Sequence, residues 1–385
     1  MVWLLHLSLL FATQFQAPEL ARQTEKATEV VVLGTIHGAH RESKSWSLDA
    51  LRETIRKIQP EVVLCEIPPD RWPAVLKRWQ EAAVVEDERV QRFPEYTEVL
   101  LPLMDEMGFL VEPCAAWTAE MAAERKAAIQ RFEGGGGQPP EDSEALQAYR
   151  AAIRWTSEWA AQLSMDAEDP LVLHSRLYDF RSKGERLPYE HWLNDRIGEG
   201  GWRNINQAHY SLLETALAKH AGKRILITFG AGHKYWFLER LRWRPDLNLM
   251  DPRPFLPGGE RPRSKEEAVL EEVYAFNEAV WRCFYDAGHE FLRPALARIG
   301  RSMNPRDEFG FVNGLRPSPR GSTFWDQQWL GPVIAEQEEE GVWEVRFSIL
   351  RAMQSANEAR KVSATLVQDS TMTGGFRWNK IQWPR

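Results

Sequence analysis

The chain has 385 residues, 43% of them hydrophobic and 27% charged, and carries a formal net charge of −7 at pH 7. That length exceeds what one core usually covers, so two domains are expected, and the composition is that of a globular protein rather than a disordered one. Interspersed charges without a basic patch argue against a nucleic-acid partner, and the three cysteines, Cys65, Cys114 and Cys283, contain no C-x-x-C pair, which excludes a zinc ribbon.

Residues 1–17 include an apolar run from Trp3 to Ala12 of signal-peptide length, too short to span a bilayer. The run lacks a basic flank and Phe15-Gln16-Ala17 is a poor cleavage site, so the expectation is a secreted or periplasmic product, or a cytoplasmic one if the start codon is mis-assigned. No other segment is long and apolar enough to cross a membrane.

Residues 29–36 read as a first strand, and Leu48, Leu51, Ile55 and Ile58 share one face of a helix over 48–58. Pro60 ends that helix, and 61–66 is a second strand. A helix over 95–107, with Val99, Leu100, Leu103 and Met107 on one side, stops at Gly108 before a third strand at 109–111. Strands alternating with helices predict a parallel, helix-flanked sheet.

A helical insertion follows over 118–163, interrupted by Gly134 to Gly137, which reads as a loop tip because no strand precedes it and no Lys-Ser/Thr follows. Helical pattern resumes over 193–219, Gly222 leads into a strand at 225–229, a helix covers 235–241, and 247–250 resembles a short last strand. The prolines and glycines from Pro252 to Pro262 read as a linker between an α/β domain at 24–257 and an accessory α+β domain at 264–385.

The second domain opens with helical periodicity over 265–299. The acidic stretch 336–340 then reads as a solvated turn. Trp343, Val345, Phe347 and Ile349 alternate with polar residues, as do Val362, Ala364 and Leu366, and the parity switch over 376–383 implies a bulge near Asn379-Lys380. The predicted shape resembles the NTF2-like or cystatin-like cones. The fold class is α/β, a mostly parallel sheet with a helical insertion, followed by the smaller α+β domain.

Of the nine histidines only His37 and His233 follow a glycine by three residues, and each closes an apolar strand run. The run Val62-Val63-Leu64-Cys65 ends on Glu66. In open α/β sheets the carboxyl ends of the strands form the ligand crevice, so two imidazoles and a carboxylate are expected at one rim. A lone strand-end His more simply satisfies a neighbouring carbonyl; two of them plus Glu66 point to a site.

With these residues in place, the segment 29–256 resembles the TraB/PrgY and Tiki superfamily, whose distant relatives include erythromycin esterases and ChaN-like haem-binding proteins. The matching blocks are Gly34-Thr35-Ile36-His37, Pro60 through Glu66 with Arg71 after it, Arg203-Asn204, and Gly230-Ala231-Gly232-His233. The family includes metal-dependent peptidases, esterases and proteins without demonstrated catalysis, so the resemblance implies a site more firmly than a reaction.

His37, Glu66 and His233 fill three positions of a divalent Zn, Mn, Co or Fe ion and leave one for water, which predicts a metal-dependent hydrolase of peptide or ester bonds. In the metal-free variant Glu66 orients a His that serves as general base. Arg203 either binds a substrate carboxylate or oxyanion or pairs with Asp195, and Asn204 is a weaker candidate. His40 reads as a loop residue. Trp46 and Trp72 are expected to wall the crevice, and Trp79, Trp155, Trp159 and Trp236 to pack in the core. Two competing readings are a non-catalytic binder of haem, metal or peptide, and a C-terminal domain, with its lone His289, acting as a homodimerisation or ligand module.

Overall fold

The run Val30-Val31-Val32-Leu33 has no polar position to turn toward water, which suits a strand covered on both faces. In the structure, a computed structural model described over residues 27–135, 139–140, 142–281, 324, 328–371 and 375–382, all four side chains are buried. The expectations for residues 1–17, Cys283, His289 and the far end of the 265–299 helix lie outside the described residues.

Five strands form one parallel sheet: β1 (Thr28–Thr35), β2 (Val62–Cys65), β3 (Leu110–Pro113), β4 (Arg224–Gly230) and β5 (Leu247–Leu249), in the order β3-β2-β4-β1-β5. β4 thus lies between β1 and β2, and the chain reverses its direction of winding at this point, where open sheets bind ligands. Strand alternation divides the core. Val31, Leu33, Val63, Cys65 and Leu226 meet helices α1 (Leu48–Ile58), α2 (Trp72–Ala82) and α3 (Leu101–Met107) on one face.

α1 follows the predicted 48–58 bounds: the Ser47 side chain accepts from the Ala50 N–H, and Gln59 closes the helix in the left-handed region at φ 51°. α3 is preceded by a π-helical turn, Glu95–Leu100. Pro102 has no N–H for the carbonyl of Glu98, which instead accepts from Arg52 Nη2 at 3.0 Å.

Between α3 and β4 the chain runs through β3, then α4 (Ala119–Glu133), α5 (Ser143–Gln162), α6 (Pro170–Leu173), α7 (Arg176–Ile197) and α8 (Trp202–Lys219). α8 and α9 (Ala231–Leu241) cover the second sheet face, where Leu213, Leu217, Tyr235 and Phe237 pack on Val30, Val32, Ile225 and Ile227.

After β5, α10 (Lys265–Trp281) precedes an antiparallel sheet of β6 (Gln328–Leu330), β7 (Ile334–Glu339), β8 (Val342–Arg351), β9 (Arg360–Gln368) and β10 (Phe376–Gln382), in the order β10-β9-β8-β6, with β7 also paired to β8. Its apolar face does not close on itself. Phe132 of α4, Trp159 of α5, and Phe180 and Trp192 of α7 share one core with Trp329, Val345, Leu366 and Trp378. The inserted helices are therefore the other half of the antiparallel layer.

Several predicted bounds move. The third strand starts at Leu110, and Phe109 packs in the core ahead of it. The single 193–219 helix is two, broken at Gly198–Gly200, because the turn brings residue 201 onto α7: a Cβ on Gly201 would lie 2.7 Å from Asn194 Oδ1. The acidic stretch is not a turn; Glu336, Glu338 and Glu339 lie in β7, whose exposed, charged character suits a strand that pairs on one side only. The bulge in β10 falls between Trp378 and Lys380, at the predicted place. Among the described residues no helix is long and apolar enough to cross a membrane.

Candidate functional site

Because β4 separates β1 from β2, the residue that ends β4 stands between the two side chains that follow its neighbours. Gly230 is that residue. Its N–H donates to Glu66 Oε2 at 2.8 Å, and His37 Nε2 lies against its α-carbon, so that a Cβ there would sit 2.5 Å from Nε2 and 3.4 Å from Glu66 Oε2. Only glycine lets the imidazole and the carboxylate close over the strand end.

Glu66 is buried just past β2. Its backbone N–H donates to the Tyr96 hydroxyl at 3.1 Å, and that hydroxyl donates to the Thr228 carbonyl at 3.0 Å, which ties the ends of β2 and β4 together. Burial pushes the Glu66 carboxyl up, with the charge of His37 and the Gly230 N–H opposing it.

His37 follows β1 at φ 50°, a left-handed conformation that a non-glycine residue adopts at a cost. The ring is fixed by Glu95, whose Oε1 lies 2.6 Å from Nδ1 and whose side chain is 1% exposed, against 37% for the His37 side chain. Burial lowers the His37 pKa, but the bond to Glu95 and the charge of Glu66 outweigh it, and the net shift is upward.

His233 sits in the first turn of α9 rather than in a loop. Its Nδ1 is 2.6 Å from Asn206 Oδ1, while Asn206 Nδ2 donates to the Trp202 carbonyl at 2.7 Å. With the amide oriented in this way, Nδ1 of His233 is the donor and Nε2 carries the lone pair. That Nε2 is 3.8 Å from Glu66 Oε1. The Trp202 indole stacks on His233 with ring centroids 4.7 Å apart, and His209 meets it edge-on at 5.4 Å. Burial, together with the charges of His209, His37, Arg186 and Arg125, holds the His233 pKa well below that of a free imidazole.

The three predicted residues are therefore brought together at the rim. Among the described residues no group of three or more His, Cys, Asp and Glu is arranged so that it could hold a metal ion. When neutral, both histidines have Nδ1 on an oxygen acceptor and keep the Nε2 lone pair, the usual outer-shell arrangement of metal-bound imidazoles. Donors about 2.1 Å from a tetrahedral centre lie about 3.4 Å apart; His233 Nε2 is 3.8 Å from Glu66, and His37 has no nitrogen within 4.0 Å of Glu66.

The remaining candidates lie elsewhere. Arg203 Nη2 is 3.2 Å from Asp195 on an exposed surface, with side chains 54% and 90% accessible, so the pairing alternative is the one observed. Asn204 donates to the Gly198 carbonyl and holds the α7–α8 turn. His40 is a buried loop brace: Nε2 accepts from the Ile36 N–H and Nδ1 lies 2.6 Å from the Trp46 carbonyl. Trp46 and Trp72 do not wall the crevice. Trp46 is fully buried with its indole N–H on the Gly34 carbonyl, and Trp72 packs against the α1–α3 core. Cys65 and Cys114 are buried free thiols on adjacent strands, where the Cys114 N–H donates to the Cys65 carbonyl.

Trp202 and Trp117 take the place assigned to Trp46 and Trp72, and Glu95, Tyr96, Asn206 and His209 complete the site. Trp202, Asn206 and His209 stand at i, i+4 and i+7 of α8, a helical stripe of unusual chemistry that the sequence displays. Glu95 carries no such mark.

Comparison with family models, with curated proteins and with solved structures finds no match to this chain.

Proposed function

We propose that this chain is a hydrolase of peptide or ester bonds whose centre is His37, Glu66 and His233, with a divalent metal ion held among them. The observation that supports this reading most is the placing of two imidazoles beside one buried carboxylate, each ring locked from behind by Glu95 or Asn206, with His233 Nε2 3.8 Å from Glu66. A cation among such groups, an ion or a proton, offsets the repulsion of their lone pairs. Such an ion, when bound, lowers the pKa of a bound water and polarises a carbonyl.

The chain's own residues do the positioning. Glu95 and Asn206 set the tautomers, and Gly230 fixes one Glu66 oxygen while leaving the other toward His233. Trp202 shields the inner side of His233, and His37 is the ring open to a substrate. The resemblance to the TraB/PrgY and Tiki superfamily points the same way.

The test is metal content and hydrolysis of peptide and ester substrates by the wild type beside His37→Ala and His233→Ala. The expected result is a bound divalent ion in the wild type, its loss in both variants, and turnover that disappears on chelation and returns with added ion. Turnover by metal-free protein overturns the metal-dependent reading. The 2.6 Å Glu95–His37 pair also suits a general base, and chelator-resistant activity lost in Glu95→Gln selects that second reading. Bound metal or haem without turnover selects the binding protein.

A further inference from the structure

Most buried cations in this protein have a carboxylate. Lys234 pairs with Asp179, Lys183 with Glu239, and Arg176 and Arg242 with Glu278. Two arginines near the imidazoles, half-buried Arg125 and exposed Arg186, do not: among the described residues neither has a carboxylate within ion-pair distance. Aromatic rings place both.

The Arg186 guanidinium lies 4.7 Å from the ring centre of Trp202, the indole that stacks on His233. Arg125 lies 5.8 Å over Trp117 and 5.6 Å over Tyr189, and its Nε donates to the Tyr189 hydroxyl at 2.9 Å. Trp117 in turn meets His209, which meets His233. Arg186 thus reaches the His233 ring through one aromatic side chain and Arg125 through two, both held by cation–π contact without neutralisation.

A third donor stands beside them. His209 is fully buried, and its Nδ1 accepts from the Ala116 N–H, so its Nε2 carries the proton, yet that atom has no hydrogen-bond partner.

We propose that the substrate presents a compact anionic group, a carboxylate or a phosphate, to a subsite formed by Arg125 and Arg186 beside the His37–Glu66–His233 centre. This rests on the hydrolase reading and specifies its substrate class. A guanidinium fork matches either oxyanion with two parallel hydrogen bonds, and stacked rings leave the fork free to make them.

The experiment uses the full-length protein and a matched pair of probes, N-acetyl-alanyl-alanine and its C-terminal amide, with binding followed by calorimetry and hydrolysis followed separately. The acid is expected to bind about tenfold tighter than the amide, with inorganic phosphate competing. Arg186→Gln and Arg125→Gln each reduce that preference to about threefold or less while melting temperature is kept, and Arg186→Lys recovers part of it. Equal binding of acid and amide, or a preference that survives both Gln variants, overturns the subsite. Turnover of the amide at the rate of the acid also overturns it while leaving the hydrolase intact; an arginine-dependent acid preference without turnover leaves the subsite and removes the hydrolase.

Discussion

The parallel sheet and the antiparallel sheet bury different chemistry. At the C-terminal rim of β1, β2 and β4, Glu66, Glu95, Asn206, His209 and His233 are all buried, and Glu95 Oε2 and His209 Nε2 have no hydrogen-bond partner. Around the antiparallel sheet the buried side chains are largely aromatic and aliphatic: the Trp155, Trp159 and Trp329 rings meet edge-to-face at 4.9 Å. Unpartnered polar atoms occur in both, Trp343 Nε1 and the Asn277 amide on the antiparallel side, but the two named at the rim belong to ionisable groups, whereas the antiparallel core draws its stability from apolar area. The difference teaches that the helical insertion serves two ends: α7 packs Phe180 and Trp192 on the antiparallel layer and carries Arg186 to the rim.

Two glycines break the comparison most directly. Gly230→Ala places a methyl 2.5 Å from His37 Nε2, and the ring cannot swing away without leaving Glu95. Turnover is expected to fall about 100-fold with stability within about 1 kcal/mol of wild type. Gly184→Ala places a methyl 2.5 Å from Trp159 Cη2 and 2.7 Å from Trp329 Cζ3, between rings with no space to yield. Stability is expected to fall by about 1–3 kcal/mol or more in urea unfolding, with turnover per folded molecule within about threefold. If the two variants exchange these phenotypes, the division of labour is wrong.

A smaller effect sharpens the chemical side. Asn206→Ala removes the acceptor that sets the His233 tautomer, and metal affinity by competitive chelation should weaken about 10–100-fold. Asn206→Asp, which keeps an acceptor oxygen, should lose less.

The smallest effect tests the seam between the regions. Burial pushes the Glu278 carboxyl up, but Arg242 and Arg176 outweigh it and bring it down to about 2. A depressed folded-state pKa contributes stability that is fully present above the unfolded value of 4.5 and is lost as pH falls through about 2. The urea midpoint of the wild type should therefore exceed that of Glu278→Gln at neutral pH, and the gap should shrink across that window. A gap independent of pH removes the ion pairs as its cause.

Strands buried on both faces were plain in the residues. Val30 to Leu33, Val62 to Cys65 and Ile225 to Phe229 are unbroken apolar runs, and the α1 stripe is equally clear. α7 was hidden because Gly184 and Pro188 interrupt its pattern and its buried positions include Ser182 and the charged Asp179 and Lys183, the last two paired with Lys234, Arg242 and Glu239 of α9 and its C-cap. His37, Glu66 and His233 could be placed because strand ends locate themselves. Glu95 could not, since its role depends on a π-helical turn set by Pro102 and on approach to a residue 58 positions away. Trp46 and Trp72 misled through nearness in sequence, which says little about which side of a strand end a loop returns to.

The placement of β4 bears on biosynthesis. Its two neighbours leave the ribosome first, and each must hold an open edge until residues 224–230 emerge and fill the gap between them. A nascent chain that stops short of that segment owns every carboxylate of the centre yet lacks the wedge that aligns them. Competence in this protein is consequently gained only when residues 224–230 have been inserted between β1 and β2.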